Sequence, residues 1–91
     1  MSWHELITTR GRWLRNVEVS IERGEFKVFW VRLDPDEDAA VLIDRAKNCA
    51  YINKPLGECQ LLAALHGYEL AVLREDGESF LEHIEKFLAS L

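Results

Sequence analysis

Motifs that carry chemistry are what this sequence has least of. There is no glycine-rich phosphate loop, no His-Glu-x-x-His pair and no nucleophile elbow. That removes the common routes to nucleotide binding, zinc hydrolysis and acyl transfer. Cysteine is scarce, with Cys49 and Cys59 alone. Two thiols at this spacing make neither a disulfide framework nor a zinc pattern, so free thiols and a reducing, cytoplasmic setting are expected. No apolar run approaches the length of a membrane span. The opening "MSWHELITTRGRWLR" lacks the apolar core of a signal peptide. Positive charge is in deficit, 11 Lys and Arg against 16 Asp and Glu. A general nucleic-acid or membrane-surface binder would be basic, so neither is expected.

What the chain does hold is apolar. Of its 91 residues 48% are hydrophobic, which suits one domain over residues 1–91. Chains this short bury only roughly 60–65% of the surface they expose when unfolded, so stability is modest. The net charge of −5 is uneven: residues 1–33 carry six basic and four acidic side chains, residues 34–91 five and twelve. The acidic part either attracts a basic partner or forms a solvated helical surface.

The pattern predicts an α+β fold, with an N-terminal antiparallel three-stranded sheet over about 3–33. "WHELITT" reads as the first strand, turned by "RGR" at Arg10 to Arg12. "NVEVSIE" alternates, and "EFKVFWVRL" follows after Arg23-Gly24. A two-residue turn there pairs Ile21 with Phe26, Val19 with Val28 and Val17 with Trp30, so all six share one face. The other face carries Trp3, Ile7, Leu14, Phe29, Val31 and Leu33, mixed with Glu18, Ser20 and Lys27. Such a mixed face is hard to bury inside a monomer. Phe29 and Val31 are therefore expected to be partly exposed and to meet a partner.

Three helices follow, over about 35–47, 57–66 and 80–90, with one additional strand over about 68–73. Asp34 suits an N-cap and Pro35 a first helical position, and Ala39, Leu42, Ile43 and Ala46 recur at helical spacing. "CAYINKP" is a short strand or a connector. "GECQLLAALHG" is a helix burying Leu61, Leu62 and Leu65 and stopped by Gly67. "YELAVLR" alternates as a strand, with a helix continued through Gly67 as the alternative. Asp76-Gly77 marks a turn, and Ser79 with Glu82 makes a capping box for a last helix striped by Phe80, Ile84, Phe87, Leu88 and Leu91.

No catalytic constellation emerges. His4, His66 and His83 lie in different elements, and Cys49, Cys59 and His66 match no zinc spacing. No metal or cofactor is expected. The aromatic content points to recognition instead, because Trp is enriched at interface hot spots. Trp13 stands among Arg10, Arg12 and Arg15, a group suited to an acidic surface. The expected function is a non-enzymatic protein-binding module, in one form a small acidic inhibitor of a larger basic machine such as a nuclease complex. Its binding residues are Phe29, Val31, Leu33, Trp3, Trp13, Arg12 and Arg15. A homodimer using the second sheet face is the alternative partner arrangement. A small enzyme is the third reading, which a pocket holding His66 or His83 beside Cys59 would support.

Overall fold

The computed structural model describes Glu5, Ile7, Thr9 and residues 11–14, 18–34, 37–65 and 67–90, with backbone alone at 12–14, 18 and 34. Six strands form one sheet in chain order: β1 (Arg12–Leu14), β2 (Glu18–Arg23), β3 (Phe26–Asp34), β4 (Glu37–Asp44), β5 (Cys49–Ile52) and β6 (Val72–Arg74). The first five make an antiparallel meander; β6 lies parallel to β5. Helix α1 (Glu58–Leu65) makes the crossover between β5 and β6, as a parallel pair requires. Helix α2 is Gly77–Ala89.

The sheet is an internal layer. On its first face Val19, Val28, Trp30, Leu42 and Tyr51 pack with Phe80, Ile84 and Phe87 of α2. On its second face Phe29, Val31, Val41, Ile43 and Ile52 pack with Ala64 and Leu65 of α1. Phe29 is 1% exposed and Val31 6%. The expected partial exposure of these two residues is therefore overturned, and Leu33 is half-buried beside them. Polar residues of that face stand mostly on β2, where Ser20 pairs Phe29 and Glu22 pairs Lys27, while β3 to β5 present the apolar ones. Lys27 itself is accommodated: its ammonium lies 5.4 Å from the Phe29 ring centroid and 5.6 Å from that of Tyr68, with Glu22 at 3.9 Å. Its apolar stem can stay down while the charge meets ring faces and a carboxylate.

The α+β class holds, but the arrangement of three strands followed by three helices does not. The helix expected over 35–47 is strand β4 over Glu37–Asp44, with a turn from residue 45 onward. Ala39 to Ile43 form an unbroken apolar run, every member fully buried. A run covered on both faces loses its alternation, and periodicity then does not separate it from a helix. Its acidic start is an ion-pair site, not a helix cap: Lys54 pairs Glu37, and Asp38 at 3.9 Å. Asp34 is the last residue of β3; Pro35 and Asp36 lie outside the described residues. "CAYI" is β5, reached through a turn with Asn48 at φ 52°.

The first strand is also corrected. Glu5, Ile7 and Thr9 are helical, and the Gly11 amide donates to the Ile7 carbonyl at 2.8 Å. Ile7 packs on the first face with Val19 and Val28, not on the second with Phe29. A Cβ on Gly11 would lie 2.5 Å from that Ile7 oxygen, so this crossing needs glycine. In the β2–β3 hairpin the pairs are Arg23 with Phe26, Ile21 with Val28 and Val19 with Trp30. The turn is thus Gly24-Glu25, with Gly24 at φ 59°, not Arg23-Gly24. The slip is two residues, so Val19, Ile21, Phe26, Val28 and Trp30 keep their expected shared face, while Val17 lies outside the described residues.

At the other end, the strand expected over 68–73 shrinks to Val72–Arg74, since Tyr68 and Leu70 turn onto the second-face core. Helix α1 agrees with the 57–66 expectation, except that Leu62 is 67% exposed while Ala64 is buried. Helix α2 starts before residue 80 because Asp76 caps it, its carboxylate accepting from the Ser79 amide at 2.7 Å. The Ser79–Glu82 box is therefore displaced by Asp76. That hydrogen bond holds the Asp76 carboxyl below its ordinary value. Its stabilisation is full above the ordinary aspartate pKa and is lost as pH falls through the lowered one. Asp76→Ala should lower the melting temperature at neutral pH, and by less once the pH is below both values, where the neutral carboxyl still accepts from the Ser79 amide without the charge's added contribution. Ser79→Ala should have a smaller effect, because it removes the hydroxyl's hydrogen bond to Asp76 but keeps the stronger one from the backbone amide.

Asn53 extends the β4–β5 ladder past its last strand residue. Its side-chain oxygen accepts from the buried Ala40 amide at 3.0 Å, and its own amide donates to the Ala40 carbonyl at 3.1 Å. Asn53→Ala leaves a buried donor unpaired and should cost about 1–3 kcal/mol in denaturant unfolding. Asn53→Asp retains an acceptor and should cost less.

Candidate functional site

A cavity of about 270 Å³ opens where the C-terminal half of α2 crosses the ends of β3 and β4. Phe26 enters from the start of β3, Asp44 from the end of β4 and Lys47 from the β4–β5 turn. His83, Lys86, Phe87 and Ser90 come from α2 and its cap. These α2 positions recur at three- and four-residue spacing, which places them along one side of a helix. The apolar lining is the Phe26–Phe87 pair, ring centroids 6.2 Å apart and tilted by 59°. Asp44 is buried, and one of its oxygens accepts from the Ala46 and Lys47 amides at 3.1 and 3.3 Å, shaping the turn that presents Lys47. Arg45 fastens the same turn to the β2–β3 hairpin through the Gly24 and Glu25 carbonyls.

His83 is oriented on two sides. Its ring stacks on Tyr51, centroids 3.8 Å apart and planes 17° from parallel. Its Nδ1 lies 2.8 Å from the Ser79 carbonyl. A carbonyl only accepts, so Nδ1 carries the proton and the neutral ring keeps its lone pair on Nε2. Beneath it the Tyr51 phenol is pushed above its ordinary pKa, first by hydrogen bonding with the Cys49 side chain, then by burial, with Asp44 adding and Arg74 opposing. The folded protein is therefore favoured below the ordinary tyrosine pKa and loses that contribution as pH rises through the raised value. An ultraviolet titration should show a tyrosine that ionises late, and Tyr51→Phe should abolish that step.

The residues expected to bind do not converge. Phe29 and Val31 lie under α1, while Trp3 and Arg15 lie outside the described residues. Arg12 and Trp13 belong to edge strand β1, in register with Ser20 and Val19, so neither stands in the expected "RGR" turn between two long strands. His83 is not beside Cys59: α2 covers the first sheet face, and Cys59 is exposed on α1 over the second. Both cysteines are free thiols, Cys49 buried. Among the described residues no group of His, Cys, Asp and Glu is arranged to hold a metal ion, and no helix is long and apolar enough to cross a membrane.

A second surface went unread in the sequence. Strand β6 ends the sheet and is exposed along its length, with Val72 at 42% and Leu73 at 38%. Leu62 on α1 and Leu81 on α2, at 44%, are the other large apolar side chains exposed among the described residues. The signal available was "AVLR", which reads as the inner end of an alternating strand only if the strand begins at Tyr68. Comparison with protein-family models, curated proteins and solved structures finds no match to this chain.

Proposed function

We propose that the chain acts by binding another protein, without chemistry of its own, and that the contact surface is centred on β6. The observation that carries this reading is the exposed terminal strand with two large apolar side chains, Val72 and Leu73. Most edge strands are blunted by charge, proline or cover; this one offers Leu73 to solvent and has Arg74 as its one charged residue. An apolar centre ringed by polar groups is the usual anatomy of a protein interface. The surrounding exposed Glu69, Asp76 and Glu78, with the net charge of −5, make a basic partner the better electrostatic complement.

Binding rather than catalysis is favoured by the chemistry of the cavity. Its one hydroxyl, Ser90 Oγ, donates to the Phe87 carbonyl at 2.6 Å and is not held by His83 as a nucleophile would be. The test places a photo-crosslinking residue at Leu73 and, as control, at exposed Glu85. The reading expects one discrete adduct from position 73 in source-cell extract and none from 85. Unlabelled protein should compete the adduct away, and a folded Val72→Lys, Leu73→Lys double variant should not. Equal labelling from both positions, or equal competition by both proteins, would refute it.

A further inference from the structure

The α2 cavity shares no residue with the β6 surface, and it has its own chemical order. We infer that it is a binding site for a free amino acid with an apolar side chain. Three features of the lining carry this. The walls include the apolar faces of Phe26 and Phe87. The more buried polar groups are Asp44 and half-buried His83, whose Nδ1 is engaged by the Ser79 carbonyl so that Nε2 is the ring nitrogen left for a ligand. The outer polar groups are cations, Lys47 and Lys86, both exposed.

Acceptors inside and cations outside select a molecule with a donor at one position and an acid at another. An ammonium group meets Asp44 and His83. A carboxylate meets the two lysines at the mouth. Lys86 lies 3.5 Å from Glu82, an exposed pair that gives way at little cost when a better-placed anion arrives. A simple anion would leave Asp44 facing negative charge, and a simple cation would meet two lysines. The volume of about 270 Å³ sits just below the usual range for small-molecule sites, about 300–1,000 Å³, which suits a ligand of amino-acid size.

The experiment is an amide NMR titration of the intact chain with L-phenylalanine. Two related probes accompany it: N-acetyl-L-phenylalanine, whose amine is blocked, and phenethylamine, which lacks the carboxylate. Saturable shifts are expected at Lys47, His83, Lys86 and Phe87 with L-phenylalanine, and affinity about tenfold weaker for each probe, corresponding to about 1.4 kcal/mol. The blocked amine also separates a free amino acid from the end of a peptide chain. Lys47→Gln with Lys86→Gln should weaken L-phenylalanine but leave phenethylamine unchanged. Asp44→Asn, which keeps an oxygen for the turn amides, should weaken L-phenylalanine and phenethylamine alike and leave the acetylated probe unchanged. Absence of saturation at millimolar ligand overturns the inference. So does equal binding of either probe, or the same affinity in the lysine double variant, whose exposed substitutions do not threaten the fold.

Discussion

Phe29→Glu should unfold this protein. Phe29 is covered by its neighbours on β3 and β4 and by α1, and no water reaches it to solvate a carboxylate. The substituted side chain must either stay protonated at a cost or force α1 off the sheet, and either outcome amounts to several kcal/mol. A domain of 91 residues has about 5–14 kcal/mol in total. Circular dichroism at neutral pH should show loss of the cooperative thermal transition. The matched control is Leu62→Glu, on the solvent side of the same helix, which should change stability by less than about 0.5 kcal/mol. A folded Phe29→Glu protein with an unchanged melting temperature would mean that the second face is open in solution.

A chain stopped after Glu85 should fail in the same way for a different reason. It loses Phe87, which is buried against Phe26, and Leu88, which packs at the edge of the same cluster. Removing the Phe87 side chain alone costs about 3–5 kcal/mol. The truncation also removes the last turn of α2 and its Ser90 cap, leaving Trp30 and Leu42 less covered. Far-ultraviolet signal and a cooperative melt should both be lost, whereas Phe87→Leu should retain a lowered melt. A truncated chain that melts like the full one would show that the end of α2 adds nothing to the core.

Legibility from sequence followed how many faces an element buries. The β2–β3 hairpin has one polar face along β2, so Val19 and Ile21 stood out by alternation, and even the two-residue slip left the faces intact. Helix α2 has one wet side, and its stripe of Phe80, Ile84 and Phe87 was readable for the same reason. Strand β4 has no wet side, and Ala39 to Ile43 imitated a helix once Asp34-Pro35 suggested a start. In the first segment Ile7 is the one core residue among the described Glu5, Ile7 and Thr9, and a single position shows no period. The cavity was invisible because Phe26, Asp44 and His83 are distant in sequence and meet only after β4 is known to be a strand. The exposure of β6 was hidden by reading Tyr68 and Leu70 as part of it.

The order of the sheet has a kinetic side. Neighbours in the chain are neighbours in space from β1 to β5, so each antiparallel pairing closes a short loop and can form as soon as its turn does. The β5–β6 pairing is different, since it waits for the intervening α1 segment to cross the second face. Strand β4 is paired on both edges and covered on both sides, whereas β6 is held on one edge and bare on the other. Native-state hydrogen exchange should therefore be graded across the sheet, with β4 amides opening only when the whole molecule unfolds and β6 amides opening by local detachment. The strand proposed to meet a partner is thus also the one the rest of the fold can release at least cost.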